Sequence, residues 1–182
     1  MNSFLKLLVA VVAVVFLSCK QDKKQEKSVN AESVEEYTNL NATDSKSEVQ
    51  FSDNKTQKIY LQYLEVKAAM VNTDSVAVQK ASKKLASIIS SSEEDKQLKA
   101  TSKLISLTKN IKKQRDFFVT LTSEIEKHIA NAEITSGEVY KQFCPMAFGG
   151  EGGYWLSDSK EIRNPYYGNK MLTCGTVKQV LN

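Results

Sequence analysis

Two short stretches of this chain pair a thiol with a thioether: Cys144-Pro145-Met146 and Met171-Leu172-Thr173-Cys174. Soft sulfur ligands of this kind select Cu(I) or Ag(I) over hard, oxygen-seeking cations. Pro145 restrains the backbone between the first two sulfurs. Met171 and Cys174, three residues apart, can converge from a turn or from one helical face. Zinc suits this set less well, because thioethers are poor zinc ligands and the chain holds a single histidine, His128. The same two cysteines also suit a disulfide. In an oxidising compartment a Cys144–Cys174 bridge, closing a loop of about 30 residues, contributes roughly 3–4 kcal/mol by the chain-entropy relation. Thiols that bind nothing are the third state, and the residue types leave all three open.

The remaining chemistry-bearing residues point away from catalysis. His128 falls near the end of a helical stretch, where a lone histidine commonly bonds carbonyls or faces solvent near the helix dipole; it is retained as a candidate metal ligand. Glu124, Glu126 and Lys127 read as a solvated face. With one histidine far in sequence from both late cysteines, no Ser-His-Asp set or Cys-His dyad is expected. There is no Cys-X-X-Cys of the redox-enzyme type. Gly149-Gly150 and Gly152-Gly153 surround Glu151 without the spacing or following helix of a phosphate loop. A non-enzymatic protein is expected.

The elements that must position the sulfurs differ sharply along the chain. From Asn54 to Ala132 the apolar spacing is helical. Tyr60, Leu64 and Val71 share a stripe flanked by Ile59, Tyr63, Val66 and Met70. Asn72-Thr73-Asp74 breaks it, with Asp74 an N-cap for a second helix carrying Val78, Ala81, Leu85 and Ile88/Ile89. A third helix carries Leu98, Leu104, Ile105 and Leu107. A fourth carries Ile111, Phe118, Leu121, Ile125 and Ile129, either continuous with the third or broken near Asn110. The expectation is a mainly α (α+β) domain: an antiparallel four-helix bundle over 54–132 with a small glycine-rich, irregular or β segment over 137–182. All seven glycines and both prolines lie from Gly137 onward, so the helical period stops there. Gly137–Phe143 and Gly152–Ser157 alternate as strands do, Lys170–Leu181 fits a strand or a closing helical turn, and Asn164-Pro165-Tyr166-Tyr167-Gly168 is a turn. Tyr154, Trp155, Tyr166 and Tyr167 are expected to form a small core for this segment. Gln114 and Arg115 are expected to tie the helices to it.

The N-terminal end reads as an address. Lys6 precedes the apolar run Leu7–Leu17, which is short for a membrane span, and residues 1–18 read as a secretory signal peptide. Phe16-Leu17-Ser18-Cys19 resembles a bacterial lipobox, which implies lipidation of Cys19 and attachment to the membrane by acyl chains. Residues 19–50 then read as the lipidated cysteine and a polar, disordered tether with a reach on the order of 30 Å. Residues 51–182 are expected to form one folded domain. The formal net charge of +4 is spread along the chain without a basic stripe or stacking platform, so nucleic-acid binding is not expected.

Four stretches, Val139–Phe148, Tyr154–Ser157, Ile162–Gly168 and Met171–Gly175, resemble a family of exported bacterial domains of unknown function. That family occurs alone in lipoproteins or attached to periplasmic adaptors of copper and silver efflux systems. Tyr63–Asp74 and Ile111–Ile125 are similar to its helical part, so the resemblance spans roughly Gln57 to Leu181. It implies a lipid-anchored protein of the cell envelope, periplasm-facing in a Gram-negative bacterium, associated with heavy-metal handling and partnered with a metal-efflux component. Carried over onto the matching positions, it implies Cys144, Met146, Met171 and Cys174 as sulfur ligands for Cu(I) or Ag(I). The rival expectation is a structural or interaction module of the envelope stapled by a Cys144–Cys174 disulfide.

Overall fold

The computed structural model describes residues 38–182; the expected signal peptide, Cys19 and the first part of the tether lie outside the described residues. Four α-helices account for most of the regular structure: α1 (Asn54–Val71), α2 (Ser75–Ile88), α3 (Lys96–Leu107) and α4 (Ile111–Ile129). Each start has a local cause. Asp53 accepts from Lys55 N and Thr56 N, Asp74 from Val76 N and Ala77 N, and Asn110 from Lys113 N, so three helices begin on side-chain caps. The break at Asn110 separates α3 from α4. Asp95 precedes α3 without capping it. Its carboxylate instead meets Lys55 Nζ at 2.7 Å and the Ser90 hydroxyl. Burial alone would raise its pKa, but these bonds outweigh burial and hold it at about 2.

The apolar stripes fall largely where the spacing places them. Ile59, Tyr60, Tyr63, Val66, Met70 and Val71 of α1 are buried, as are Val78 and Leu85 of α2, and Phe118, Leu121, Ile125 and Ile129 of α4. In α3, Leu98 and Ile105 point inward, whereas Leu104 and Leu107 are 45% and 79% exposed. A helix of twelve residues packed on α2 and α4 buries one narrow stripe, and Leu104 and Leu107 lie off it. α1 packs on α2 and α4, and α3 on α2 and α4. Among the described residues no helix is long and apolar enough to cross a membrane.

Two small antiparallel sheets complete a mainly α, α+β fold. β1 (Gln50–Phe51) pairs with β2 (Ile134–Ser136). The second sheet has the order β4-β3-β5, with β3 (Val139–Cys144) between β4 (Gly153–Ser157) and β5 (Thr176–Leu181). Short 3-10 turns at Ala147–Gly150 and Gly168–Met171 connect these strands to their neighbours.

The folded part begins earlier than residue 51. Residues 38–50, expected to belong to the tether, lie along the domain. Leu40 N donates to Asn72 Oδ1 at 2.8 Å, Ser47 N to the Asp158 carbonyl at 2.6 Å, and Ser47 Oγ accepts from Glu138 N at 2.6 Å. Asn41 and Val49 are buried. These residues are held by backbone groups rather than by an apolar period, so a reading based on periodicity passes over them.

Candidate sulfur site

Strand register brings the two sulfur stretches together. In β3, Cys144 pairs with Gly153 of β4, and Phe143 pairs with Thr176 of β5. Cys174, two residues before Thr176, is therefore level with the end of β3. The two sulfurs lie 3.0 Å apart and both cysteines are free. That separation is about 1 Å longer than a disulfide bond. Cys144 is fully buried and Cys174 partly so.

The thioethers stand on the same two turns. Met146 follows Cys144 by two residues, and its side chain is 54% exposed. Met171 closes the 3-10 turn, and its carbonyl accepts from Cys174 N at 3.1 Å. The hydrogen-bonded Cys144 thiol, aided by burial, pushes the Cys174 thiol above its ordinary pKa, and the Met146 amide opposes that shift. His128 does not join this cluster through a polar contact; its Nδ1 lies 3.4 Å from Asp95 Oδ1. Among the described residues no three His, Cys, Asp or Glu side chains converge.

The residues that hold this geometry are mostly in Asn164–Gly168. Asn164 is fully buried and bonded on every side. Its Nδ2 donates to the Cys174 carbonyl and its backbone N to the Leu172 carbonyl, both at 2.8 Å. Its Oδ1 accepts from Tyr166 N at 2.8 Å, and its carbonyl accepts from Gly168 N at 3.0 Å. Tyr167 Oη donates to the Met146 carbonyl at 2.6 Å, so one loop touches both sulfur turns. Gly175 has φ +150, and a Cβ there would lie 2.8 Å from the Trp155 ring and 3.0 Å from the Phe143 carbonyl. Glycine after Cys174 thus lets the turn sit against Trp155.

The helical part supports this loop through aromatic rings and one guanidinium. Tyr63 stacks on Phe118 at 5.4 Å, Phe118 meets the edge of Tyr166 at 6.0 Å, and Tyr166 meets Trp155 at 6.0 Å. Tyr63 Oη accepts from Leu156 N at 3.0 Å, joining α1 to β4. Arg115 Nε donates to the Pro165 carbonyl at 2.8 Å, while its Nη2 reaches the Met70 carbonyl and Thr73 Oγ1. Arg115 therefore makes the expected tie. Gln114 does not: its amide bonds the Ser75 and Thr108 carbonyls within the helical part. Of the four aromatics expected as a local core, Trp155 and Tyr166 are buried, Tyr167 is partly buried and Tyr154 is exposed. Asn164 and Gly175 carry positioning roles that the sequence reading missed. An Asx-type turn at Asn164-Pro165 and a glycine directly after a cysteine were the available signals.

Comparison with known proteins finds one family model, described as "Protein of unknown function (DUF3347)", over residues 59–137. The chain is similar to that family over less than half of its length: most of α1, all of α2, α3 and α4, and β2. The match ends before Cys144, so the two sulfur motifs, with all four stretches that carry the resemblance, lie beyond it. No curated protein and no solved structure matches the chain.

Proposed function

We propose that this chain is a lipid-anchored, non-enzymatic binding protein of the cell envelope that captures Cu(I) or Ag(I) at the cysteine pair. The carrying observation is the meeting of two free thiols at 3.0 Å, with Met146 and Met171 on the two turns that bear them. Cys144 and Cys174 supply thiolates, and Met146 or Met171 completes a low-coordinate site. Two metal–sulfur bonds of about 2.3 Å each span up to roughly 4.6 Å, so capture requires the sulfurs to part by about an ångström or more. Cys174, on a turn, is the side that gives; Cys144 is fixed at the end of β3, paired to Gly153 of β4. The half-exposed Met146 offers an incoming ligand a point of exchange, which suits handover to a metal-efflux component. The helices, taken as an antiparallel bundle, supply the rigid wall against which the loop is set. Cys19 supplies the lipid anchor and sets the protein on the periplasmic side of a membrane.

Anaerobic titration with Cu(I) against a chromophoric chelator tests this. The expected result is one equivalent bound far more tightly by the native chain than by a Cys144→Ser/Cys174→Ser variant. Equal affinity in the two proteins refutes it. The second reading, an envelope interaction module with a Cys144–Cys174 staple, draws on the same short separation, since bond formation needs a movement of only about 1 Å. Intact mass before and after alkylation of the exported protein separates the two: a fully bridged pair that resists mild reductant favours the staple.

A further inference from the structure

Cys144 and Cys174 are unequal as nucleophiles. Cys144 has no solvent exposure and sits on the central strand of its sheet, paired to Gly153. Cys174 is partly exposed on a turn outside the strands. An external disulfide can therefore approach Cys174 and not Cys144. Once a sulfur is attached at Cys174, the Cys144 sulfur already lies 3.0 Å from the Cys174 sulfur it must attack.

We propose that Cys174 is the entry thiol of a dithiol that exchanges with small-molecule disulfides, that Cys144 is the resolving thiol, and that closure of their bond empties the metal site. The emptying rests on the metal reading above; the order of attack does not. In the first step the Cys174 thiolate attacks one sulfur of the external disulfide. That S–S bond breaks, a mixed disulfide forms at Cys174, and one external thiolate departs with the electron pair. In the second step Cys144 gives its proton to the first departed thiolate and attacks the Cys174 sulfur. The mixed bond breaks and the second external thiolate leaves. The two departing thiolates take up the protons lost by the two cysteines. The protein is oxidised by two electrons, the external disulfide is reduced to two thiols, and no thiolate remains for Cu(I).

The test uses the full chain and oxidised glutathione under anaerobic conditions, read by intact mass and peptide mapping. Cys144→Ser should retain glutathione on Cys174. Cys174→Ser should form its adduct at Cys144 at least roughly tenfold more slowly, as expected for a buried thiol. The native chain should become bridged without accumulating adduct. Equal adduct rates in the two single variants overturn the proposal, as does a native chain that holds glutathione. A readout that needs no variant is pulsed alkylation of the native protein: Cys174 should label first, and equal or reversed labelling overturns the order. Oxidised native protein should lose its tight Cu(I) binding and regain it on reduction; binding that survives oxidation overturns the gating. If exchange follows this order while the reduced chain binds Cu(I) no better than the double variant, the metal reading and the gating fall together and the exchange order stands.

Discussion

The helical part and the C-terminal segment of this domain are held by different forces. α1 to α4 bury stripes of apolar side chains, and many residues share the work. The segment after Gly137 has short strands and positive-φ glycines, with Val139, Trp155, Leu156 and Tyr166 reaching into the helices' core. Its shape depends on individual polar atoms, above all the four hydrogen bonds of Asn164. Distributed packing tolerates the loss of one contact, whereas a hub does not. The sulfurs sit on the hub-built side, where irregular backbone can bring Cys144 and Cys174 into contact. The helix-built side supplies the surface, through Phe118, Tyr63 and Arg115, on which that backbone is set.

The largest single effect should come from breaking the hub. Asn164→Ala leaves the Cys174 carbonyl and Tyr166 N without their partner inside the protein. Each unsatisfied buried group costs about 1–3 kcal/mol, so a loss on the order of 3 kcal/mol is expected in urea unfolding. The loss should fall unevenly. Helical circular dichroism should be retained below the transition, while alkylation of Cys144 should accelerate as the turn loosens. Unchanged Cys144 labelling in a destabilised variant would mean that Asn164 does not hold the sulfur pair.

Lys67 sharpens the comparison from the helical side. It lies in α1, buried, with its Nζ donating to Ser157 Oγ of β4 at 3.1 Å. Burial pushes its pKa down to about 8; Asp158 draws it back up, and Lys46 and Arg163 add to the depression. Between pH 8 and 10.5 the unfolded chain holds a proton on this amine that the folded chain has released. The unfolded state therefore binds more protons, and this group's contribution makes stability rise with pH across that window. Tyr60, Tyr63 and Tyr166, whose pKa values burial raises, oppose it above about pH 10. The clean measurement is the difference from Lys67→Met, which removes the buried charge. At pH 7 the variant should be more stable by about 1–3 kcal/mol. That advantage should shrink from pH 8 to 10. A variant less stable at pH 7 would show that the Lys67–Ser157 bond outweighs the burial of the amine.

How much of this was legible in the sequence follows the same division. Apolar period and caps located α1 to α4 because burial in a helix repeats every three or four residues, and Asp74 and Asn110 mark real starts. Leu104 and Leu107 misled because spacing alone does not give the width of a buried stripe. The strands at Val139–Cys144 and Gly153–Ser157 were legible from alternation between glycines. Residues 38–50 were not, since polar groups such as Ser47 Oγ and Leu40 N show their partners only in three dimensions. For the site, the sulfur types were plain, but the 3.0 Å meeting depends on the register of β3 with β5, which no local signal specifies. Asn164 was visible only as part of a turn.

A subtler break is Tyr63→Phe, which keeps the ring and its stacking on Phe118 while deleting the hydroxyl. Leu156 N then loses its acceptor and Thr122 Oγ1 its partner at 2.9 Å. The expected cost is about 1–2 kcal/mol. Since the hydroxyl bridges α1, α4 and β4, the two parts should uncouple slightly. Hydrogen exchange at Leu156 should speed up more than exchange within α2. Uniform acceleration would argue that Tyr63 acts on overall stability alone.

The smallest effect should lie wholly on the helical side. Asp74→Ala removes the side chain that accepts from Val76 N and Ala77 N at the start of α2. Loss of such a cap costs about 1 kcal/mol, and urea unfolding should show it without a change in the slope of the transition. The alkylation rates of Cys144 and Cys174 should stay at native values. Helix starts contribute to the helical part as a whole, and the sulfur turns take their shape from Asn164, Tyr167 and Gly175. If this variant altered thiol labelling as strongly as Asn164→Ala, the division between distributed packing and a polar hub would be wrong, and the sulfur site would have to be regarded as a property of the whole domain.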